Sequence, residues 1–210
     1  MTSTPNTANT PNTPIVRCDM AVSVDGFTAG LDAKKPPFLD APFHRVTNWV
    51  FDGAEASELM HAERTEGTGA YVMGRRMYDS AGDHWSVEAP YHKDVFVVTN
   101  RPHETVELKD GTVFRFVTDG GVPAAIEAAK AACAPGKRVH LSGGATVVQQ
   151  ALAADLIDEL HLHITPVLLG QGIRLFDGQP ARITELEPLR VIDASGVTHI
   201  SYRINRSQEG

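Results

Sequence analysis

From residue 15 onward, short apolar runs alternate with longer amphipathic stretches. Residues 15–24 (IVRCDMAVSV) alternate, are rich in β-branched side chains and stop at Asp25-Gly26, which predicts a first strand closed by a turn. A helix is expected from Asp52, its N-cap, through Arg64, presenting Ala56, Leu59, Met60 and Ala62, with Gly67-Thr68-Gly69 as its stop. Residues 70–73 predict a second strand, followed by Gly74-Arg75-Arg76 and a short helical segment from Met77. Two further strands are expected at 94–99 (DVFVVT) and 113–118, then an alanine-rich helix at 122–133. A buried strand at 138–142 runs through Gly143-Gly144 into a second helix, 146–156. Residues 159–169 (ELHLHITPVLL) read as a strand with Leu160, Leu162 and Ile164 on one face and His161, His163 and Thr165 on the other. Residues 183–191 and 198–204 predict an antiparallel hairpin around Ala194-Ser195-Gly196. The succession predicts an α/β fold, a mostly parallel central sheet flanked by helices with a C-terminal antiparallel hairpin. Ligands of such sheets bind outside the carboxyl ends of the strands.

Two stretches fall outside this pattern. Residues 1–14 carry no charge and almost no apolar side chain, so they are expected to be a disordered tail, with neither the basic nor the apolar region of a signal peptide. The polar, proline-rich stretch 31–46, which contains Lys34-Lys35-Pro36-Pro37, is expected to be a long loop of the kind used as a lid or binding loop. It ends at Trp49-Val50-Phe51, a bulky cluster that either packs on the core or lines a ligand pocket. No linker or repeat divides 15–206, which predicts one domain.

Composition narrows the partners. The 210 residues carry a net charge of −7, with no basic cluster longer than Arg75-Arg76, which argues against nucleic acid. Nothing approaches the roughly 18 consecutive apolar residues of a membrane span, and a cytoplasmic protein with reduced Cys18 and Cys133 is expected.

The candidate chemistry sits at strand ends. Ser142, Gly143, Gly144, Ala145 and Thr146 join a strand to a helix start, where backbone N–H groups and the helix dipole suit an anion such as a pyrophosphate, although a plain tight turn is the simpler reading. Gly74-Arg75 lets a guanidinium reach a phosphate while the backbone approaches closely, and Thr99-Asn100-Arg101 repeats the pattern one strand away. His161 and His163 have no ligand partners at a recognisable spacing, so no metal is expected. A GxSxG turn, a Walker loop and a Rossmann fingerprint are all missing.

Taken in order, Ser23-Val24-Asp25-Gly26, Met73-Gly74-Arg75-Arg76, Val98-Thr99-Asn100-Arg101-Pro102, Leu141-Ser142-Gly143-Gly144-Ala145 and DELHLHITPVLLGQGIRLFDG at 158–178 resemble the dihydrofolate reductase-like superfamily. Within it, the chain is similar to the group related to the reductase domain of the bifunctional riboflavin-biosynthesis deaminase/reductase. The resemblance implies the sheet described above and NADPH as cofactor. By position it would put Gly74, Arg75 and Arg76 at the cofactor phosphates, Thr99, Asn100 and Arg101 at the 2′-phosphate, Ser142 through Thr146 at the pyrophosphate, and Ala21 beside the nicotinamide. The carboxylate that folate enzymes place on the helix before this strand corresponds to Glu58, with Asp25 as an alternative polar group near the nicotinamide.

The expected activity is NADPH-dependent hydride transfer to a C=N or C=O bond of a small, pterin- or pyrimidine-like ring, with Trp49, Phe51 and His163 on the substrate wall. The alternatives are reduction of a pyrimidine ribosyl phosphate, as in riboflavin synthesis, and NADPH binding without turnover. Exposed apolar surface on the DELHLHITPVLL strand would support a homodimer.

Overall fold

The computed structural model describes residues 13–30, 41–51, 55–81, 89 and 91–205. The expected tail up to residue 12, the Lys34-Lys35-Pro36-Pro37 stretch and the Asp52 cap lie outside the described residues.

Among the described residues nine strands form one sheet, in the order β10 (Glu185–Ala194), β11 (Val197–Asn205), β8 (Glu159–Thr165), β1 (Val16–Ser23), β7 (Arg138–Gly143), β3 (Thr68–Gly74), β4 (Asp94–Val98), β6 (Val113–Val117) and β5 (Val106–Glu107). The central pairs from β8 to β6 are parallel, whereas β10–β11, β11–β8 and β5–β6 are antiparallel. A separate short pair joins β2 (Phe27–Ala29) to β9 (Ile173–Arg174). This is the dihydrofolate reductase-like arrangement: a mostly parallel sheet with a C-terminal antiparallel hairpin, which turns at Ser195-Gly196.

The alternation in β1 sorts its side chains to two different interiors. Val16, Cys18, Met20 and Val22 join the main apolar core with Val122, Ile126 and Ala129 of α4 (Gly121–Ala132) and Val147, Val148 and Ala151 of α5 (Ala145–Ala153). Truncating a fully buried member such as Ile126 or Leu141 to alanine costs about 2–5 kcal/mol. Arg17, Asp19 and Ser23 occupy the opposite face, where His140 of β7, His161 and His163 of β8, and His199 and Ser201 of β11 are buried beside them. Over this polar face lie α1 (Ala41–Thr47), a 3-10 turn (Asn48–Phe51) and α2 (Glu55–Gly67). Trp49 packs at a tilt on His163 and edge-on against His199, and Thr165 Oγ1 donates to the Val46 carbonyl at 3.0 Å.

Four expectations change. Residues 41–46, read as loop, begin α1: Pro42 sits in the first turn, where its missing N–H costs nothing, and Val46 is fully buried. The strand expected to run to Leu169 stops at Thr165, because Pro166 cannot donate to the ladder. The second helix starts at Ala145 rather than Thr146 and ends at Ala153, before Asp155 turns to a positive φ of 54°. The DELHLHITPVLL strand is interior to the sheet, with Leu160 and Leu162 in the core and Leu168 exposed, so its apolar residues do not form an outer face. Among the described residues, no helix is long and apolar enough to cross a membrane.

Candidate active site

The carboxyl ends of β3, β4 and β7, with the middle of β1, open onto a cavity of about 610 Å³. At one end, glycines permit close approach of backbone. A Cβ on Gly74, the last residue of β3, would stand 3.0 Å from Val147 Cγ2 and 3.7 Å from the Gly144 nitrogen, so β3 meets the start of α5 in a close approach that a side chain would press on. Gly143 has φ +100° and lies against Met20 Sδ, conditions under which any other residue is strained. The Gly143–Gly144 peptide is cis. Gly144 is the N-cap of α5, its carbonyl accepting from the Val147 and Val148 nitrogens. The N–H groups of Ala145 and Thr146 therefore have no acceptor within the helix, and both residues border the cavity together with Ser142 and Gly144.

Cationic side chains stand opposite. Arg75 and Arg76 open α3 (Arg75–Ala81) and border the cavity. Arg75 Nε donates to Asp79 Oδ1 at 2.6 Å, its guanidinium lies over the Tyr78 and Phe116 rings, and its Nη1 is buried without an acceptor among the described residues. A buried guanidinium N–H left unpaired is costly, and an anionic ligand oxygen satisfies it. Thr99 and Asn100, at the end of β4, border the same space, and Thr99 Oγ1 accepts from the Arg101 nitrogen at 3.0 Å. Arg101 itself stands outside the lining and donates to Asp79 Oδ2 at 2.6 Å. Partial burial works against the charge on Asp79, but hydrogen bonds from Arg75 and Arg101 hold its pKa below the ordinary carboxylate value.

The other end of the cavity reaches the polar face of the sheet, where Asp19, Ala21, Trp49, Arg64 and His163 border it. Asp19 accepts two hydrogen bonds from Arg17, Nε to Oδ2 at 2.8 Å and Nη2 to Oδ1 at 2.7 Å. His140 Nδ1 is 3.3 Å from Asp19 Oδ2, and His163 Nε2 is 3.5 Å from Oδ1. On the far side of its ring, His163 Nδ1 shares a 2.8 Å hydrogen bond with His199 Nδ1, while His161 Nδ1 pairs with Ser201 Oγ at 2.9 Å. Burial opposes ionisation of Asp19, yet the neighbouring imidazoles and Arg17 outweigh it and hold its pKa well below the usual range. Burial pushes His140 down to about 3, beyond what Asp19 restores. His163 is also lowered by burial, with Asp19 pulling it back and Arg64 and His161 adding to the fall. At neutral pH, then, an ionised carboxylate lies among uncharged His140 and His163.

Most expected cofactor positions meet at this cavity: Ala21, Gly74, Arg75, Arg76, Thr99, Asn100, Ser142, Gly144, Ala145 and Thr146. Gly143 is buried behind them, and Arg101 is linked only through Asp79. Trp49 and His163 border the cavity as expected, but Phe51 does not, being 79% exposed at the end of the 3-10 turn. Neither expected carboxylate borders it. Asp25 is committed to tying the turn after β1 to the segment after β8: it accepts from Ser23 Oγ, Leu169 N and Gly170 N, bonds that lower its pKa to about 2, the Ser23 hydroxyl contributing most. Glu58 is exposed on α2, whose inward stripe is Met60 and Arg64, one turn apart. Asp19 and Arg64 were missed by the sequence reading. The signal for Asp19 was a charged pair, Arg17 and Asp19, on one face of a strand whose other face is wholly apolar.

The same architecture recurs in known proteins. YyaP of Bacillus subtilis (strain 168) is 26% identical over 192 residues, covering 89% of this chain and 93% of its own. A Shewanella sp. PV-4 protein assigned provisionally to riboflavin biosynthesis superposes with a TM-score of 0.65 at 22% identity, over 91% of this chain and 99% of that one. A dihydrofolate reductase from Enterococcus faecalis, determined with NADP(H), superposes with a TM-score of 0.54 at 16% identity, over 91% and 97% of the two chains. Residues 14–199 match the family described as the RibD C-terminal domain, and the chain belongs to that family.

Proposed function

We propose that this chain is an NADPH-dependent reductase that transfers hydride to a C=N or C=O bond of a small heterocyclic ring. One observation carries the reading: the ends of three parallel strands and the middle of a fourth bring Ala21, Gly74-Arg75-Arg76, Thr99-Asn100 and the Gly144-capped start of α5 onto one cavity. Its volume, about 610 Å³, is within the usual range for cofactor sites of about 300–1,000 Å³. The residues fit the cofactor. Ala145 and Thr146 offer N–H donors to a pyrophosphate, the unpaired Nη1 of Arg75 offers a charged donor, and Ala21 leaves room for a flat ring over β1. Bound there, NADPH would supply the hydride. Membership of the RibD C-terminal domain family and the likeness to a dihydrofolate reductase held with NADP(H) support the same assignment.

The chain's own task is to hold the substrate ring, keep water from it and supply a proton. Phe43, Trp49 and Val50 form an apolar wall on the side of the cavity that contains Arg64. That cation favours a ring bearing carbonyl or anionic groups, which suits both a pterin and a pyrimidine ribosyl phosphate. Assays with dihydrofolate and an aminopyrimidine ribosyl phosphate, side by side, separate these two. NADPH titration followed by fluorescence tests the cofactor assignment: saturable binding is expected, tighter than for NADH. No saturable binding, or equal affinity for the two nucleotides, would remove it. Binding without consumption across a panel of such rings would instead favour a cofactor-binding protein.

A further inference from the structure

We propose that His163 is the proton donor for this reduction and that Asp19 is its positioning residue; the inference rests on the reductase reading above. Reduction of C=N or C=O by hydride leaves an electron pair on the heteroatom, and a proton must reach it. Among the described residues, the carboxylates expected for this task, Asp25 and Glu58, do not border the cavity. Asp19 does, but its bidentate bond to Arg17 fixes it as an ionised acceptor with no proton to give. His163 is left as the proton carrier. It pairs with Ala21, the position expected beside the nicotinamide, in the register of β1 and β8.

The ring is held so that one nitrogen stays available. Nδ1 is engaged by His199 Nδ1 at 2.8 Å, and Trp49 packs at a tilt, 4.5 Å between ring centroids, which together fix its plane. Nε2 faces the Asp19 carboxylate, which demands a hydrogen on that nitrogen; at 3.5 Å the bond is longer than the usual N–H···O range of about 2.7–3.2 Å. The hydrogen is oriented by a weak bond that a substrate acceptor can replace, at the edge of the cavity that both residues border. The charged and titratable groups facing the ring are Asp19 from β1, His161 from β8, His199 from β11 and Arg64 from α2, with Arg17 and His140 behind Asp19.

In the acidic form the His163–His199 pair holds one proton more than two neutral rings. Bound NADPH would supply the hydride and its electron pair for the new C–H bond. The π pair moves onto the substrate heteroatom, the Nε2–H bond of His163 breaks, and an N–H or O–H bond forms on the substrate. The imidazole keeps the electron pair of its broken bond and is reprotonated from solvent after release. Because burial lowers the His163 pKa, the acidic form grows as pH falls through a value below that of an ordinary imidazole, and turnover grows with it.

The test uses the full chain. Ring resonances of His163, assigned through their loss in H163Q, are titrated by NMR. They are expected to report a pKa below the ordinary imidazole value, to fall further in D19N, and to shift when NADPH is added, while those of exposed His92, before β4, stay put. In turnover with NADPH and dihydrofolate or the aminopyrimidine ribosyl phosphate, H163Q is expected to keep NADPH affinity within about twofold. It should lose on the order of 10²-fold or more in kcat, together with the acid-side rise of the wild-type pH profile. An H163Q enzyme with wild-type kcat and pH profile overturns the proposal. So does a His163 ring that ignores both D19N and NADPH, which decides the matter if neither ring is reduced. If D19N does not fold, the NADPH-induced shift and H163Q decide. Failure of the wild-type chain to bind NADPH removes the reductase reading instead, so the two failures are distinct.

Discussion

Arg101 Nη2 and Asp79 Oδ2 lie 2.6 Å apart across the gap between the end of β4 and α3, and the same carboxylate holds Arg75. Asp79 therefore competes with any phosphate for two cations. Arg101→Ala is expected to weaken NADPH about tenfold and NADH little, and Asp79→Asn to strengthen NADPH relative to NADH. Calorimetric titration of both nucleotides checks this; parallel changes for the two would place Arg101 away from the 2′-phosphate. Thermal stability should barely move, since exposed pairs contribute at most about 1 kcal/mol.

Gly143 combines φ +100° with a Met20 sulfur 3.2 Å from where a Cβ would sit. Gly143→Ala should cost about 1–2 kcal/mol in stability and loosen the N-terminus of α5 enough to reduce NADPH affinity. Gly136→Ala, with φ +77° and open space around it, should show the backbone cost without the loss of affinity. Urea unfolding and nucleotide titration of the two variants separate strain from cradle; equal affinities would mean that the glycine serves only the fold.

Acid should weaken the fold well above the usual carboxylate range. An unfolded chain takes up a proton at His140 near pH 6.5, whereas the folded chain refuses it until about pH 3. Stability from this group is thus complete above pH 6.5 and falls as pH drops, by up to about 1.4 kcal/mol per pH unit. Asp19, whose folded pKa is depressed, adds stability present above about pH 4 and lost below it. Urea midpoints from pH 7 to pH 4 should decline, and more shallowly in His140→Gln. An identical slope in the variant would show that His140 is not the group responsible.

Trp49 carries much of the cover over the polar face. Its ring lies on His163 and His199, and Nε1 donates to the Val46 carbonyl at 3.0 Å. Trp49→Ala should cost about 3–5 kcal/mol, whereas Trp49→Phe, which keeps a ring but loses the hydrogen bond, should cost about 1–2 kcal/mol. Chemical unfolding gives both numbers. A mild alanine variant would mean that the cover closes over the gap.

The glycines at the ends of β3 and β7 were legible in the chain because a strand end without Cβ atoms is a local signal, but a tight turn accounts for it as simply. The order of the motifs was needed to point to an anion site, and Arg101, placed by the same order, stands outside the cavity. The faces of β1 and β8 were legible from their alternation, which is local too. What the alternation could not tell is that the face with Asp19 and His163 is interior, because the residues that bury it, His140, Trp49 and His199, come from β7, the 3-10 turn and β11. Glu58 was chosen by its correspondence to the folate enzymes' carboxylate, which fixes a position along α2; packing decides that Arg64 reaches the cavity and Glu58 does not.

The strand order also bears on how the protein is made. β1 pairs in the sheet with β7 and β8, so it has no neighbouring strand until residues 138–165 have been made. Until then it is an unpaired strand with a hydrophobic face, a condition that slows folding and invites association between nascent chains. A chain that ends before β8 would leave Asp19 without His163, and the polar end of the cavity would lack one of its walls.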